Sequence, residues 1–252
     1  MLYLTYFLLY TFVFIFGICI GSFLNVVIYR MPNKISIADG RSFCPNCKSF
    51  IKNYDLIPIV SFFVLKRKCR NCGQKISWRY PLVEAFVGLV AVIIFIRFYF
   101  TAKALLAFAF CAVLVAVSFI EYDKNKVPLS LTITLLPFTI LSYFVFDNFS
   151  LISRFIGITI IVLPFIAIKL FSKNFLSNEA IAIMSICGFF VGYKLIIISL
   201  IIGAIIQVVN LFSNKSYNKI KHYNLATFCV GFLITLIAYQ YIIDFLNCIF
   251  KN

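Results

Sequence analysis

Long apolar runs leave this chain few ways to fold. Residues 4–28, 82–100, 104–122, 128–146, 151–171, 179–193, 195–212 and 225–250 carry very few charges, and about 20 such residues in helical form cross a hydrocarbon core of roughly 30 Å. Eight transmembrane helices are therefore expected. The sixth is short, and only Gly192, Tyr193 and Lys194 divide it from the seventh. The first run is longer than a signal-peptide core and ends in Asn25, Tyr29 and Arg30 without a small-residue cleavage site, so it reads as a retained helix. Composition agrees: 63% of residues are hydrophobic and 12% charged, against about 45–50% and about 25% in soluble domains. With 31 Phe, 14 Tyr and 8 acidic residues, a soluble enzyme, a disordered chain and a secreted disulfide scaffold are all excluded. The predicted fold class is an all-α polytopic membrane protein.

The formal charge of +15 comes from 23 Lys and Arg that are spread along the chain and concentrated in one hydrophilic stretch. A nucleic-acid partner does not follow, because membrane topology accounts for the distribution. Residues 30–79 hold eleven of the cations, and placing that stretch in the cytoplasm puts eighteen of the 23 inside and five outside. Arg97, Lys103, Arg154, Lys194 and Lys251 make up the outer set, and both termini fall outside. Three predicted parts follow: a first transmembrane helix over 1–29, a cytoplasmic domain over 30–80, and a seven-helix membrane domain over 81–252.

The hydrophilic stretch contains Cys44-Pro-Asn-Cys47 and Cys69-Arg-Asn-Cys72, separated by 21 residues. Two CxxC knuckles at this distance let four thiolates converge tetrahedrally on one Zn²⁺. Pro45, Asn46, Asn71 and Gly73 suit tight turns around a metal, and a reducing cytosol keeps the thiols available. A pair of disulfides and an iron-sulfur cluster are the alternatives. Four thiolate ligands leave no position for a catalytic water, so the zinc is expected to be structural. Between the knuckles, Tyr54, Leu56, Ile57, Val60, Phe62 and Phe63 make residues 50–65 apolar enough to lie against the membrane surface. The other five cysteines, Cys19, Cys111, Cys187, Cys229 and Cys248, sit singly in apolar runs as small hydrophobes.

Gly21-Ser22-Phe23-Leu24-Asn25-Val26-Val27-Ile28-Tyr29-Arg30-Met31-Pro32 closes the first run, the CxxC pair follows, and Ser77-Trp78-Arg79-Tyr80-Pro81-Leu82-Val83-Glu84 enters the second. Together these segments resemble the type IV prepilin peptidases, closely over residues 16–88 and as a pattern of spans to the C-terminus. The resemblance implies a bacterial inner-membrane enzyme that cuts the leader from type IV prepilins or type II secretion pseudopilins at the cytoplasmic face. It also implies methylation of the new N-terminus with S-adenosylmethionine. The expected partners are prepilin or pseudopilin N-terminal segments and membrane lipid. Glu84 lies about one turn inside the second span, where a carboxylate is costly and is usually partnered or functional. It is expected either to form an ion pair with Arg30 or Arg79, or to line a cavity for methyl transfer or peptide binding with Gly21, Ser22, Asn25 and Arg79.

Proteolysis in that family resembles aspartic protease chemistry, in which two carboxyl groups share a proton and activate a water. Here the sequence departs from the pattern. The first aspartate lies seven residues before a proline at the end of the third span, and in Phe119-Ile120-Glu121-Tyr122-Asp123-Lys124-Asn125-Lys126-Val127-Pro128 that position is Glu121. Asp123 matches an accessory acidic position. The second aspartate ends a Gly-x-Gly-Asp motif eight residues before a glycine that opens an aromatic stretch. Counting back from Gly188 gives Ser177, Asn178, Glu179 and Ala180, so the aspartate, both glycines and the lysine two residues on are missing. Glu179 is the nearest acid, one residue and thus about 100° off around a helix. The expectation is that Glu121 and Glu179 are the available pair, too far apart for a dyad, with Glu179 otherwise serving the start of its helix. His222 reads as a solvated loop residue, Asp244 as a side chain snorkelling to the interface, and Asp147 as part of an outer loop. The competing readings are a degenerate relative that only methylates or binds prepilins, and a zinc-stabilised assembly factor without activity.

Overall fold

The computed structural model describes residues 2–38, 40–146, 149–171, 176–213, 225–239 and 241–242. Asp147, His222, Asp244 and Cys248 lie outside the described residues. Helices α1 (Leu2–Arg30), α3 (Arg79–Phe98), α4 (Ala102–Lys124), α6 (Leu151–Phe171) and α7 (Asn178–Ser213) are long and apolar enough to cross a membrane. Helices α5 (Leu129–Val145) and α8 (Leu225–Ile237) are apolar but shorter, and the five-residue α2 (Val60–Val64) lies among the hydrophilic connections. The protein is thus an all-helical, multi-pass membrane protein. Leu4, Phe12, Leu82, Leu89, Leu163 and Phe212 are among the many large apolar side chains left exposed; a bilayer covers such surface where water would not.

The chain divides into two compact units, Met1–Phe100 and Thr101–Asn252. In the first, α1 packs on α3. The contact is close because Gly17 and Gly21 present no side chain: a Cβ on Gly17 would meet Gly88 Cα at 2.8 Å, and one on Gly21 would meet Glu84 Cα at 2.8 Å. Small residues spaced by four are the usual means of bringing two helix backbones together in lipid.

In the second unit α7 packs on α6, α8 and α5, and α4 packs on α5 and α8. Phe110 of α4 stacks on Phe190 of α7 with ring centroids 4.2 Å apart, and Phe232 of α8 lies 5.7 Å from Phe110. The two spans expected over 179–193 and 195–212 appear as the arms of α7, joined by a kink at Gly192 with φ 75° and ψ 173°. That conformation is essentially open only to glycine.

The kink interrupts the i to i−4 ladder, and Arg154 of α6 serves the carbonyls beside it. Its Nη1 donates to Phe189 O at 3.1 Å and Phe190 O at 3.3 Å, and to Ser142 Oγ at 2.8 Å. Its Nη2 donates to Ser142 O and Phe146 O, each at 3.0 Å, at the end of α5. Arg154 is completely buried. Counted by sequence among the five cations of the outer face, it is a clamp holding the end of α5 and the α7 kink to α6.

Candidate functional site: a cysteine module on two membrane helices

The segment between α1 and α3 is built from two superposable turns, twenty-five residues apart. In the first, Cys44 N donates to Ser49 O, Lys48 N to Cys44 O, and Ile51 N to Ser42 O; in the second, Cys69 N donates to Gln74 O, Gly73 N to Cys69 O, and Ile76 N to Arg67 O. All six bonds are 2.7–2.9 Å long. Phe43 bridges to Phe50 in one turn and Lys68 to Lys75 in the other. The left-handed position of the second turn is Gly73 (φ 70°), and Lys48 takes it in the first (φ 58°). The repeat extends across the pair: Asn46 Nδ2 lies 3.7 Å from Cys72 Sγ, and Asn71 Nδ2 lies 3.7 Å from Cys47 Sγ.

This doubled turn brings the Sγ atoms of Cys44, Cys47, Cys69 and Cys72 within 4.8 Å of one another. Cys44 and Cys72 are 3.9 Å apart, near the roughly 3.8 Å edge of a tetrahedron with Zn–S bonds of about 2.3 Å and far from the about 2.05 Å of a disulfide. All four are free cysteines. The set can hold a tetrahedral metal ion. The Ser49 hydroxyl and N–H pull the Cys47 thiol down to about 6, and the N–H groups of Cys72 and Asn71 lower that of Cys69. Burial pushes Cys44 up to about 11, an effect that a cation at the cluster centre opposes. Asp55 accepts both forks of Arg70 at 2.8 Å, and this guanidinium holds its carboxyl below the usual range. The pair ties residues 53–56 to the second turn.

The module is anchored to both helices. Arg30, buried at the end of α1, donates to Ser36 O at 2.9 Å and Arg41 O at 3.1 Å, and lies over the Phe43 ring. Asn25 Nδ2 reaches Tyr80 O in the first turn of α3 at 3.1 Å. Glu84 is 8% exposed and its Oε2 accepts the backbone N–H of Ile59 at 2.7 Å; Ser22 and Asn25 also donate to it. The donors described for Glu84 are thus an amide, a hydroxyl and a carboxamide, where the sequence reading looked for Arg30 or Arg79. Ile59 holds φ 62° and ψ −51°, and Val60 N closes on Pro58 O at 2.6 Å. This is the rare, strained form of the γ-turn, and β-branched residues seldom adopt it. No local sequence signal marks it.

A cavity of about 850 Å³ lies between the module and the helices. Ser22, Asn25 and Glu84 line it, with the rings of Tyr29, Phe43 and Tyr80. Gly21 supports it from behind by admitting the Glu84 backbone; Arg79 and Gly21 are not on its wall. Its volume is within the range of small-molecule sites.

The three acids read for proteolysis lie in the second unit. Glu121, in the last turn of α4, is partly buried, and its carboxylate accepts from the backbone N–H groups of Leu225 and Ala226 at the start of α8. No hydrogen-bond partner is described for its Oε2. Asp123 is exposed. Glu179 is half-buried in the first turn of α7, next to Ser177, whose Oγ caps that helix by accepting Ala180 N at 3.1 Å. Ala180, at the register of the missing aspartate, is 1% exposed, so an apolar methyl fills that inward position. Among the described residues, the cysteine set is the one cluster of three or more acid, thiol or imidazole groups, and Glu121, Asp123 and Glu179 do not form another.

A membrane protein carrying a paired-CxxC module on its first two spans is the class these features define. Residues 15–98 match the family described as Bacterial Peptidase A24 N-terminal domain. The chain is 43% identical over 122 residues to a prepilin leader peptidase/N-methyltransferase of Myxococcus xanthus, covering 48% of this chain and 36% of that protein. Proteins of the same name from Aeromonas salmonicida and Bacillus subtilis are each 29% identical, over 80% of both chains and over 76% and 79% respectively. The chain is thus similar to prepilin leader peptidase/N-methyltransferases, most strongly over its first part. Over the more similar relatives it spans about a third to a half of their length, namely 36%, 48% and 53% for the Myxococcus xanthus, Escherichia coli and Legionella pneumophila proteins. No solved structure matches.

Proposed function

We propose that this chain acts on type IV prepilins or type II secretion pseudopilins at the cytoplasmic face of a bacterial inner membrane, as an N-methyltransferase with the architecture of a leader peptidase. The observation that carries the reading is the single cavity shared by Glu84, Ser22, Asn25 and the cysteine module. The names of the relatives supply the substrate class. In this proposal residues 30–80 form the cytoplasmic zinc domain, 1–29 the first span, and 81–252 the remaining spans. Cys44, Cys47, Cys69 and Cys72 hold a zinc ion that fixes the two turns and has no ligand position left for water.

S-adenosylmethionine fits the chemistry of the cavity, which offers a carboxylate and three aromatic rings to a sulfonium cation. When bound it supplies an electrophilic methyl group. Glu84, held in place by Ile59 N–H, Ser22 and Asn25, would accept a hydrogen bond from the incoming N-terminal amine, which takes the methyl as the neutral base after its ammonium proton has passed to water; Gly21 sets the depth of Glu84 by admitting its backbone.

That the chain methylates or binds prepilins without cutting them, rather than acting as a full leader peptidase and methyltransferase, is favoured by Ala180 and by the cap that Glu121 forms on α8. Two carboxyl groups must share a proton for this proteolysis. Ala180 supplies none, and Glu121 is already engaged by two N–H groups. The test is to incubate purified protein with a prepilin and S-adenosylmethionine and to measure the product's N-terminal mass. Methylation of a pre-cleaved pilin with weak or absent leader removal is expected. Leader removal abolished by Glu121→Gln and also by Glu179→Gln would restore the full peptidase reading; no mass change at all would refute both activities and leave the non-enzymatic assembly factor.

A further inference from the structure

We propose that α2 is an interfacial helix whose exposed apolar face is inserted in the headgroup region of an anionic bilayer leaflet. Its depth follows from one hydrogen bond. Glu84 is five residues beyond Arg79, the first residue of α3, which is roughly 7.5 Å along a helix axis at 1.5 Å per residue. Ile59 N–H is bonded to the Glu84 carboxylate at 2.7 Å. A helical side chain leans toward its own N-terminus, so the carboxylate, and Ile59 with it, lies between the levels of Tyr80 and Glu84, within the first turn and a half of α3.

The faces of α2 match that position. Phe62 is 5% exposed and packs on Trp78 at 4.8 Å, whereas Val60, Phe63 and Val64 are 54%, 59% and 67% exposed. Positions i, i+3 and i+4 of a helix share one side. Among the described residues that side is mostly uncovered, with only Phe63 reaching Trp78 (6.1 Å), and at the first turns of α3 the medium beside it is the membrane interface.

Charge identifies the leaflet. Lys66, Arg67 and Lys68 follow α2 directly and are exposed, the first two in left-handed conformations (φ 49° and 60°) that turn the chain away after the helix. The Arg67 guanidinium lies 5.0 Å over the Trp78 ring. A tryptophan with basic neighbours at the end of a span is the composition of a headgroup belt, and each cation near an anionic surface contributes on the order of fivefold to the bound-to-free ratio.

Trp78 is the protein's one tryptophan, so a reporter can be moved. The full chain carrying Val64→Trp and Trp78→Tyr is reconstituted in phosphatidylcholine bilayers with and without phosphatidylglycerol, with acyl chains brominated just below the headgroup. Zinc content and the Trp78→Tyr chain serve as folding controls. The expected result is emission quenched by the brominated lipid and protected from aqueous iodide, more so with phosphatidylglycerol. Changing Lys66, Arg67 and Lys68 to Gln is expected to abolish that gain. Quenching by iodide and not by bromine overturns the proposal. Quenching by neither also overturns it, assigning the face to another polypeptide surface, and bromine quenching that is indifferent to phosphatidylglycerol overturns the anionic leaflet.

Discussion

Replacing Glu84 with Gln tests the joint between the cysteine module and the membrane helices. Two opposed quantities meet at Ile59. The positive-φ turn costs about 1–3 kcal/mol, and a hydrogen bond to a charged acceptor contributes about 1.5–3 kcal/mol, against about 0.5–1.5 for a neutral one. The docked loop is therefore held by a small difference, although its 2.7 Å bond is short. Gln preserves shape and an acceptor oxygen but removes the charge, so the expected loss is about 1–1.4 kcal/mol, a five- to tenfold rise in loop opening. Glu84→Ala leaves the N–H without an acceptor, and the rise is expected to reach on the order of ten- to a hundredfold. Amide hydrogen exchange in detergent measures this directly: residues 57–65 should exchange faster by those factors, while the core of α3 stays unchanged. Unaltered exchange over 57–65 in both variants would refute the latch. Equal acceleration throughout α1 and α3 would show that Glu84 stabilises the helix pair instead.

Two further outcomes are expected. Purified protein should contain about one equivalent of zinc, and Cys44→Ser with Cys47→Ser should lose it, as read by metal analysis; native disulfides among the four cysteines would contradict both the metal and the reducing compartment. Gly192→Ala should lower stability in a detergent unfolding titration by about 1–3 kcal/mol, because its backbone has φ 75° and a Cβ would stand 2.7 Å from Ser153 Oγ; an unchanged midpoint would mean that the kink is not needed.

The elements that could be read from sequence were those with a local signal. The paired CxxC spacing announced the cysteine cluster, and the apolar runs announced the spans. Gly192 marked the division between the two arms of α7 because glycine alone suits that backbone. Ser22, Asn25 and Glu84 were singled out through resemblance, and the structure brings them together on one wall. The partner of Glu84 was not legible, since a backbone N–H twenty-five residues away leaves no trace in residue type. The doubled turn was hidden for a related reason: its repeat lies in backbone bonds, with Lys48 where the second copy has glycine. The bonding of Arg154 was not legible, because a cation near the end of an apolar run normally reaches water. The signal that separates the two cases, a kink whose carbonyls need donors, is on another helix.

Arg154 also has a consequence for how the protein is made. Located in the first turn of α6, its guanidinium can stay in water while that helix enters the bilayer, since the acceptors from α7 do not yet exist when α6 emerges from synthesis. In the finished fold the same group is sealed away, bonded to the end of α5 and to the kink of α7. Its bonds to Phe189 O and Phe190 O can form only when α7 packs against α6. Sealing this cation takes acceptors from both α5 and α7, so a chain in which α7 has not packed leaves Arg154 short of two of its acceptors.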